Sequence, residues 1–98
     1  MGKVIKVAEI ERACPGTSRD VAREVAKRAT PGCVIDFSDF ALGNNSFADE
    51  FIMRFVEKFG WDALREVVFK NMSPLLKSLL KRAVTRRKYE MTAWNTKN

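Results

Sequence analysis

Four carboxylates, Asp36, Asp39, Asp49 and Glu50, lie close together in the chain around the run Gly43-Asn44-Asn45-Ser46-Phe47. Oxygen ligands of this kind can hold Mg²⁺. Each acid also has a local job. Asp36 and Asp39 flank a loop, while Asp49 and Glu50 fall in the first turn of a helix, where the dipole favours negative charge. Those jobs account for all four, so the reading is no metal and no cofactor. Gly43-Asn44-Asn45 lacks the lysine and glycine spacing of a phosphate-binding loop. The chain has no histidine, which removes Ser-His and Cys-His nucleophilic machinery and the usual base near neutral pH. The expectation is a protein that is not an enzyme. Cys14 and Cys33 are too few for a disulfide framework and lack zinc-type spacing. Cys33 reads as a small core residue and Cys14 as a loop thiol.

The elements that must position these residues follow from periodicity. Lys3 to Ile10 reads as a first, edge-like strand, its β-branched residues broken by Lys6 and Glu9. Cys14-Pro15-Gly16 is a turn. Thr17 or Ser18 then caps a helix, with Asp20 completing a capping box from Thr17. On that helix Val21, Ala22, Val25, Ala26 and Ala29 share one face, with Arg23, Lys27 and Arg28 off it. Pro31-Gly32 hands the chain to a central strand, Cys33 to Phe37. Gly43, Asn44 and Asn45 allow a sharp turn, and Ser46 is placed as the N-cap of a second helix, accepting from the Asp49 N–H. That helix runs from about Phe47 to Phe59, burying Phe47, Phe51, Ile52, Phe55, Val56 and Phe59, and stops at Gly60. Trp61 lies in a turn, and Leu64 to Phe69 reads as a third strand. Ser73 and Pro74 start a last helix, with Leu75, Leu76, Leu79, Leu80, Ala83 and Val84 on its apolar face. Past Tyr89 the periodicity fades and the tail 91–98 reads as frayed. The order is β-α-β-α-β-α: an α/β sandwich with a mostly parallel sheet and helices packed mainly on one face. A loop between a strand's carboxyl end and a helix start is where such sheets usually place their function.

The chain has 98 residues, of which 46% are hydrophobic, and reads as one domain, with a core from about 3 to 90. No apolar run approaches the ~20 residues that span a bilayer, and the N-terminus lacks a signal-peptide core. The expectation is a cytoplasmic protein with no membrane association, monomeric or weakly dimeric. Its net charge of +6 is unevenly placed: residues 1–69 carry ten Lys and Arg against eleven Asp and Glu, whereas residues 70–98 carry eight basic residues against Glu90 alone. The basicity belongs to the last helix and tail.

Three blocks together resemble one family. GTSRDVAREVAKRA is similar to a helix preceding a central strand, VIDFSDFALGNNSFADEF to a strand, loop and helix, and VVFKNMSPLLKSLLKRA to a strand, Ser-Pro cap and final helix. The family is that of STAS-like domains, related to anti-sigma-factor antagonists and to the cytoplasmic domains of sulfate transporters. SFADEF lies nearest its branch of uncharacterised function. The resemblance spans roughly residues 16 to 84, and its second block is the specific one. It implies helices on one face of a small sheet and a regulatory role in docking onto a protein partner, for which the family suggests an ATPase of the histidine-kinase type. It also implies that docking uses the strand, loop and helix at 36–51, through Asp39, Asn44, Asn45, Ser46, Phe47, Asp49 and Glu50. In antagonists one loop serine switches docking when phosphorylated. Setting Ile35-Asp36-Phe37 on the family's strand places Asn44 at the usual aspartate and Asn45 at the usual phosphoacceptor, with Ser46 one position later. Asparagine cannot be phosphorylated, so constitutive docking is expected, with Ser46 as the remaining phosphoacceptor candidate.

The competing class is nucleic-acid binding through Lys81, Arg82, Arg86, Arg87 and Lys88, where cations next to Tyr89 meet phosphates and Trp94 offers a ring for stacking.

Overall fold

Three short parallel strands carry one row of apolar side chains inward, and every larger helix folds onto that row. The computed structural model describes residues 3–14, 16–40 and 43–97, with side chains described as far as Tyr89. The elements are β1 (Val4–Lys6), α1 (Val7–Ala13), α2 (Ser18–Arg28), β2 (Val34–Asp36), α3 (Asn45–Phe59), α4 (Trp61–Leu64), β3 (Val68–Lys70) and α5 (Pro74–Lys97). The sheet order is β1-β2-β3, all parallel, with Val4, Val34 and Val68 in one register row and Ile5, Ile35 and Phe69 in the next. Because successive strand side chains point to opposite faces, Ile5, Ile35 and Phe69 enter the core. The valines, with Lys6, Asp36 and Lys70, point the other way.

The α/β class and the parallel sheet are as the sequence suggests, but the alternation is not strict. The first strand is three residues rather than Lys3 to Ile10. From Val7 the apolar residues follow helical spacing, and Val7, Ala8 and Ile10 are all buried on one side of α1. The third strand likewise starts late. Gly60 adopts φ +88° and breaks α3, after which Trp61–Leu64 makes a single helical turn before Val68. Trp61 is therefore helical, not a turn residue.

α2 is capped as its sequence asks: the Thr17 hydroxyl accepts from the Asp20 N–H, and the Asp20 carboxylate accepts from the Thr17 N–H at 2.9 Å. Its small-residue face, Val21, Ala22, Val25, Ala26 and Ala29, is buried in full. α3 stacks Phe47, Phe51 and Phe55 along the core, with ring centroids 6.3 and 5.9 Å apart in sequence. Phe37 and Phe69 join them from the strands. α5 packs Leu76, Leu79, Leu80 and Ala83 inward, with the Ser73 hydroxyl accepting from the Leu76 N–H at its start. Leu75, expected on that face, is 64% exposed, because it stands about 100° round the helix from Leu76. Nor does α5 stop at Tyr89. Its backbone is helical to Lys97, since no Gly or Pro interrupts the stretch. Cys33 is fully buried and Cys14 half-buried, both free thiols. Among the described residues no helix is long and apolar enough to cross a membrane.

Candidate functional site

At the carboxyl end of the sheet, β2 and β3 both turn sharply through left-handed residues, Asp39 at φ +60° and Asn71 at φ +58°. The turn therefore sits earlier than Gly43 to Asn45. Aspartate and asparagine tolerate that conformation because their short polar side chains bond locally. One oxygen of Asp36 binds the corner together. It accepts from the Ser38 N–H at 2.9 Å, the Ser38 hydroxyl at 2.7 Å and the Asn71 side-chain amide at 3.0 Å. Asn71 also donates to the Ser38 hydroxyl at 2.9 Å. The bonds from Asn71 and Ser38 hold the Asp36 carboxyl down to about 2. Three donors leave Asp36 a committed structural anion.

The start of α3 is built differently from its sequence reading. Asn44, not Ser46, is the N-cap: its side-chain oxygen accepts from the Phe47 N–H at 3.0 Å, and its amide donates to the Ser18 hydroxyl at 2.7 Å. Asparagine caps as well as serine does, and here it also ties the start of α3 to that of α2. Ser46 is already one residue inside the helix. Phe47, expected in a docking surface, is fully buried against Phe37 and Phe40. Asp49 receives both edges of the Arg87 guanidinium, at 3.0 and 2.5 Å, with Arg86 3.6 Å away. This clamp joins α3 to α5, and the Arg87 hydrogen bond holds the Asp49 carboxyl below its usual range. Glu50 is buried and accepts from Arg54 at 2.8 Å and Arg23 at 3.3 Å. Burial alone pushes its carboxyl up, but the two arginines together outweigh it, and it too titrates low.

Of the seven residues expected to meet a partner, the fold thus uses Asn44, Phe47, Asp49 and Glu50 internally. Asp39 and Asn45 remain exposed and Ser46 half-exposed. Among the described residues no three Asp, Glu, Cys or His side chains gather as a metal cluster.

Sequence reasoning missed a second surface. The outward row Val4-Val34-Val68 is left open at its two ends, with Val4 57% and Val68 47% exposed and Val34 between them half-buried. Beside it runs the row Lys6-Asp36-Lys70, and through Asp36 this face is continuous with the Ser38-Asn71 corner. The alternation of Val4, Ile5 and Lys6 signals one open and one covered face, but a parallel sheet is ordinarily covered on both. Only the structure shows which valines stay uncovered.

The basic candidates are also re-sorted. Arg87 is held by Asp49, and the Lys88 ammonium lies 5.7 Å from the Trp61 ring centre. Lys81, Arg82 and Arg86 are exposed. Trp94 lies outside the described side chains. Compared with protein-family models, curated proteins and solved structures, the chain finds no match in any of the three.

Proposed function

We propose that the protein is a non-enzymatic docking module that engages a protein partner through the uncovered face of its sheet together with the loop residue Asp39 and the helix start at Asn45 and Ser46. One observation carries this reading: a three-stranded parallel sheet packed with helices on one side, leaving Val4, Val34 and Val68 as an apolar row on the other. Beside that row lie Lys6, Asp36 and Lys70. An apolar centre with a polar rim is the usual anatomy of a protein interface, and exposed apolar patches of this kind mark such sites. The resemblance of VIDFSDFALGNNSFADEF to STAS-like domains adds the partner's class, an ATPase of the histidine-kinase type. Asn45 stands where antagonists carry their phosphoacceptor, so docking is constitutive.

Affinity capture from the native host, with the retained proteins identified by mass spectrometry, tests the reading. The parent retains an ATPase, and a Val4→Lys, Val68→Lys variant with an unchanged circular dichroism spectrum does not. Equal retention by both proteins overturns the proposal, as does a parent that retains no ATPase. A substantial phosphorylated fraction at Ser46 in native protein, with altered partner affinity, would overturn the constitutive part.

A further inference from the structure

The side of α5 turned away from the core carries a charge pattern that the docking surface does not use. Lys77, Lys81, Arg82 and Arg86 stand at helical spacing along it, with Ser78 and Thr85 between them, and all six are exposed. Leu76, Leu79, Leu80 and Ala83 fix the helix's rotation by packing on the opposite side. The sorting of partners is sharp. Arg87 is bound to Asp49 across α3, whereas among the described residues no carboxylate lies within salt-bridge distance of Lys77, Lys81 or Arg82. Arg86 has only the longer 3.6 Å approach to Asp49 and keeps a side chain 56% exposed. Tyr89 ends the row, 74% exposed. No acid interrupts the face from Lys77 to Tyr89.

We infer that this face binds the phosphate backbone of duplex nucleic acid without reading its sequence. Lys77 and Arg86 are separated by nine residues, or about 13 Å of helix, a length over which a duplex presents several phosphates. Lys, Arg, Ser, Thr and Tyr, the types that make up the row, are among the side chains that contact phosphate and sugar. An anionic membrane fits less well, because an interfacial helix needs a free apolar face and that of α5 is spent on the core. An acidic protein fits less well too, since protein interfaces are depleted in lysine at their centres, and the exposed apolar side chains of this side, Leu75 and Tyr89, stand at the two ends of the row rather than at its centre. The face is separate from the bare sheet surface, so the inference stands independently of the docking role.

Fluorescence anisotropy with a labelled DNA duplex of about 20 base pairs tests it. Four phosphate contacts predict a log-log salt slope near −3.6, so affinity falls roughly 150-fold between about 50 and 200 mM salt. A Lys77→Gln, Lys81→Gln, Arg82→Gln variant leaves one contact, and the fall shrinks to about 3- to 4-fold. A Lys27→Gln, Lys58→Gln, Arg65→Gln variant, with the same charge change elsewhere, keeps the parent slope. The changed side chains are exposed, and matching unfolding midpoints show that all three proteins are folded. No binding at low salt overturns the inference, as does equal weakening by both variants. Preference for vesicles rich in anionic lipid, or for polyglutamate, over duplex at equal salt overturns it as well.

Discussion

Asn44 does the capping that the sequence assigns to Ser46, and Asp36 does more than flank its loop. Asp36 gathers three donors at the end of β2 and titrates at about 2 rather than the ordinary 3.8. A carboxyl lowered by folding contributes stability that is full above its ordinary value and is lost as pH falls through its folded one. The Ser38-Asn71 corner is therefore expected to loosen between about pH 4 and pH 2 and to be indifferent to pH above that. An NMR titration of the Asp36 carboxyl checks this. Its midpoint should rise toward the ordinary value in Asn71→Gly, which removes the amide but keeps the left-handed backbone comfortable. Asn44→Ala removes an N-cap and the bond to Ser18 together and should cost ~1 to 2 kcal/mol. Ser46→Ala, inside the helix, should change stability by less than ~0.5 kcal/mol. Chemical denaturation of the two variants separates them, and a larger loss at Ser46 would restore serine as the cap. The sequence reading placed the cap on Ser46 and the turn on Asn44 and Asn45, although all three are of types that cap helices about equally well. What decides among them is Ser18, 26 residues earlier, and no local pattern reports that contact.

Between elements, α3 is the hub, packed against α2 on one side and α5 on the other. Its apolar face was legible because phenylalanines at helical spacing admit one arrangement, and so was the face of α5. Leu79→Ala should cost ~2 to 5 kcal/mol, whereas Leu75→Ala, on an exposed position, should be nearly neutral. An unfolding midpoint unchanged in Leu79→Ala would contradict the packing. The polar seams were not legible. Asp49 and Arg87 are 38 residues apart and meet only because both helices lie on one sheet face. Their bidentate pairing is part-buried, and a double-mutant cycle with Asp49→Asn and Arg87→Ala should return a coupling of ~0.5 to 1 kcal/mol. A coupling of zero would mean that the clamp contributes nothing. The short strands were misread for a related reason. Val7, Ala8 and Ile10 suit a strand by residue type and a helix by spacing, and three-residue strands leave too few alternations for the period to be told.

At the scale of the whole molecule, two surfaces of different chemistry lie apart: an uncharged valine row on the open sheet face and a row of cations on the outer side of α5. The first is the stronger sign of a partner, because exposed apolar area on a small domain carries a standing risk of aggregation, while exposed lysines and arginines are ordinary. Composition alone announced the second and concealed the first. Valines at alternating positions look the same in the sequence whether the second face is covered or open. The central claim, that the open face is where a protein partner sits, is tested most directly by site-specific photo-crosslinking in the native host. A photoreactive residue placed at Val68 is compared with one at Lys27, on the exposed side of α2 away from the sheet. The account predicts a discrete crosslinked product from the Val68 position, containing an ATPase, and none from the Lys27 position. An ATPase crosslinked from Lys27 and not from Val68 would contradict it.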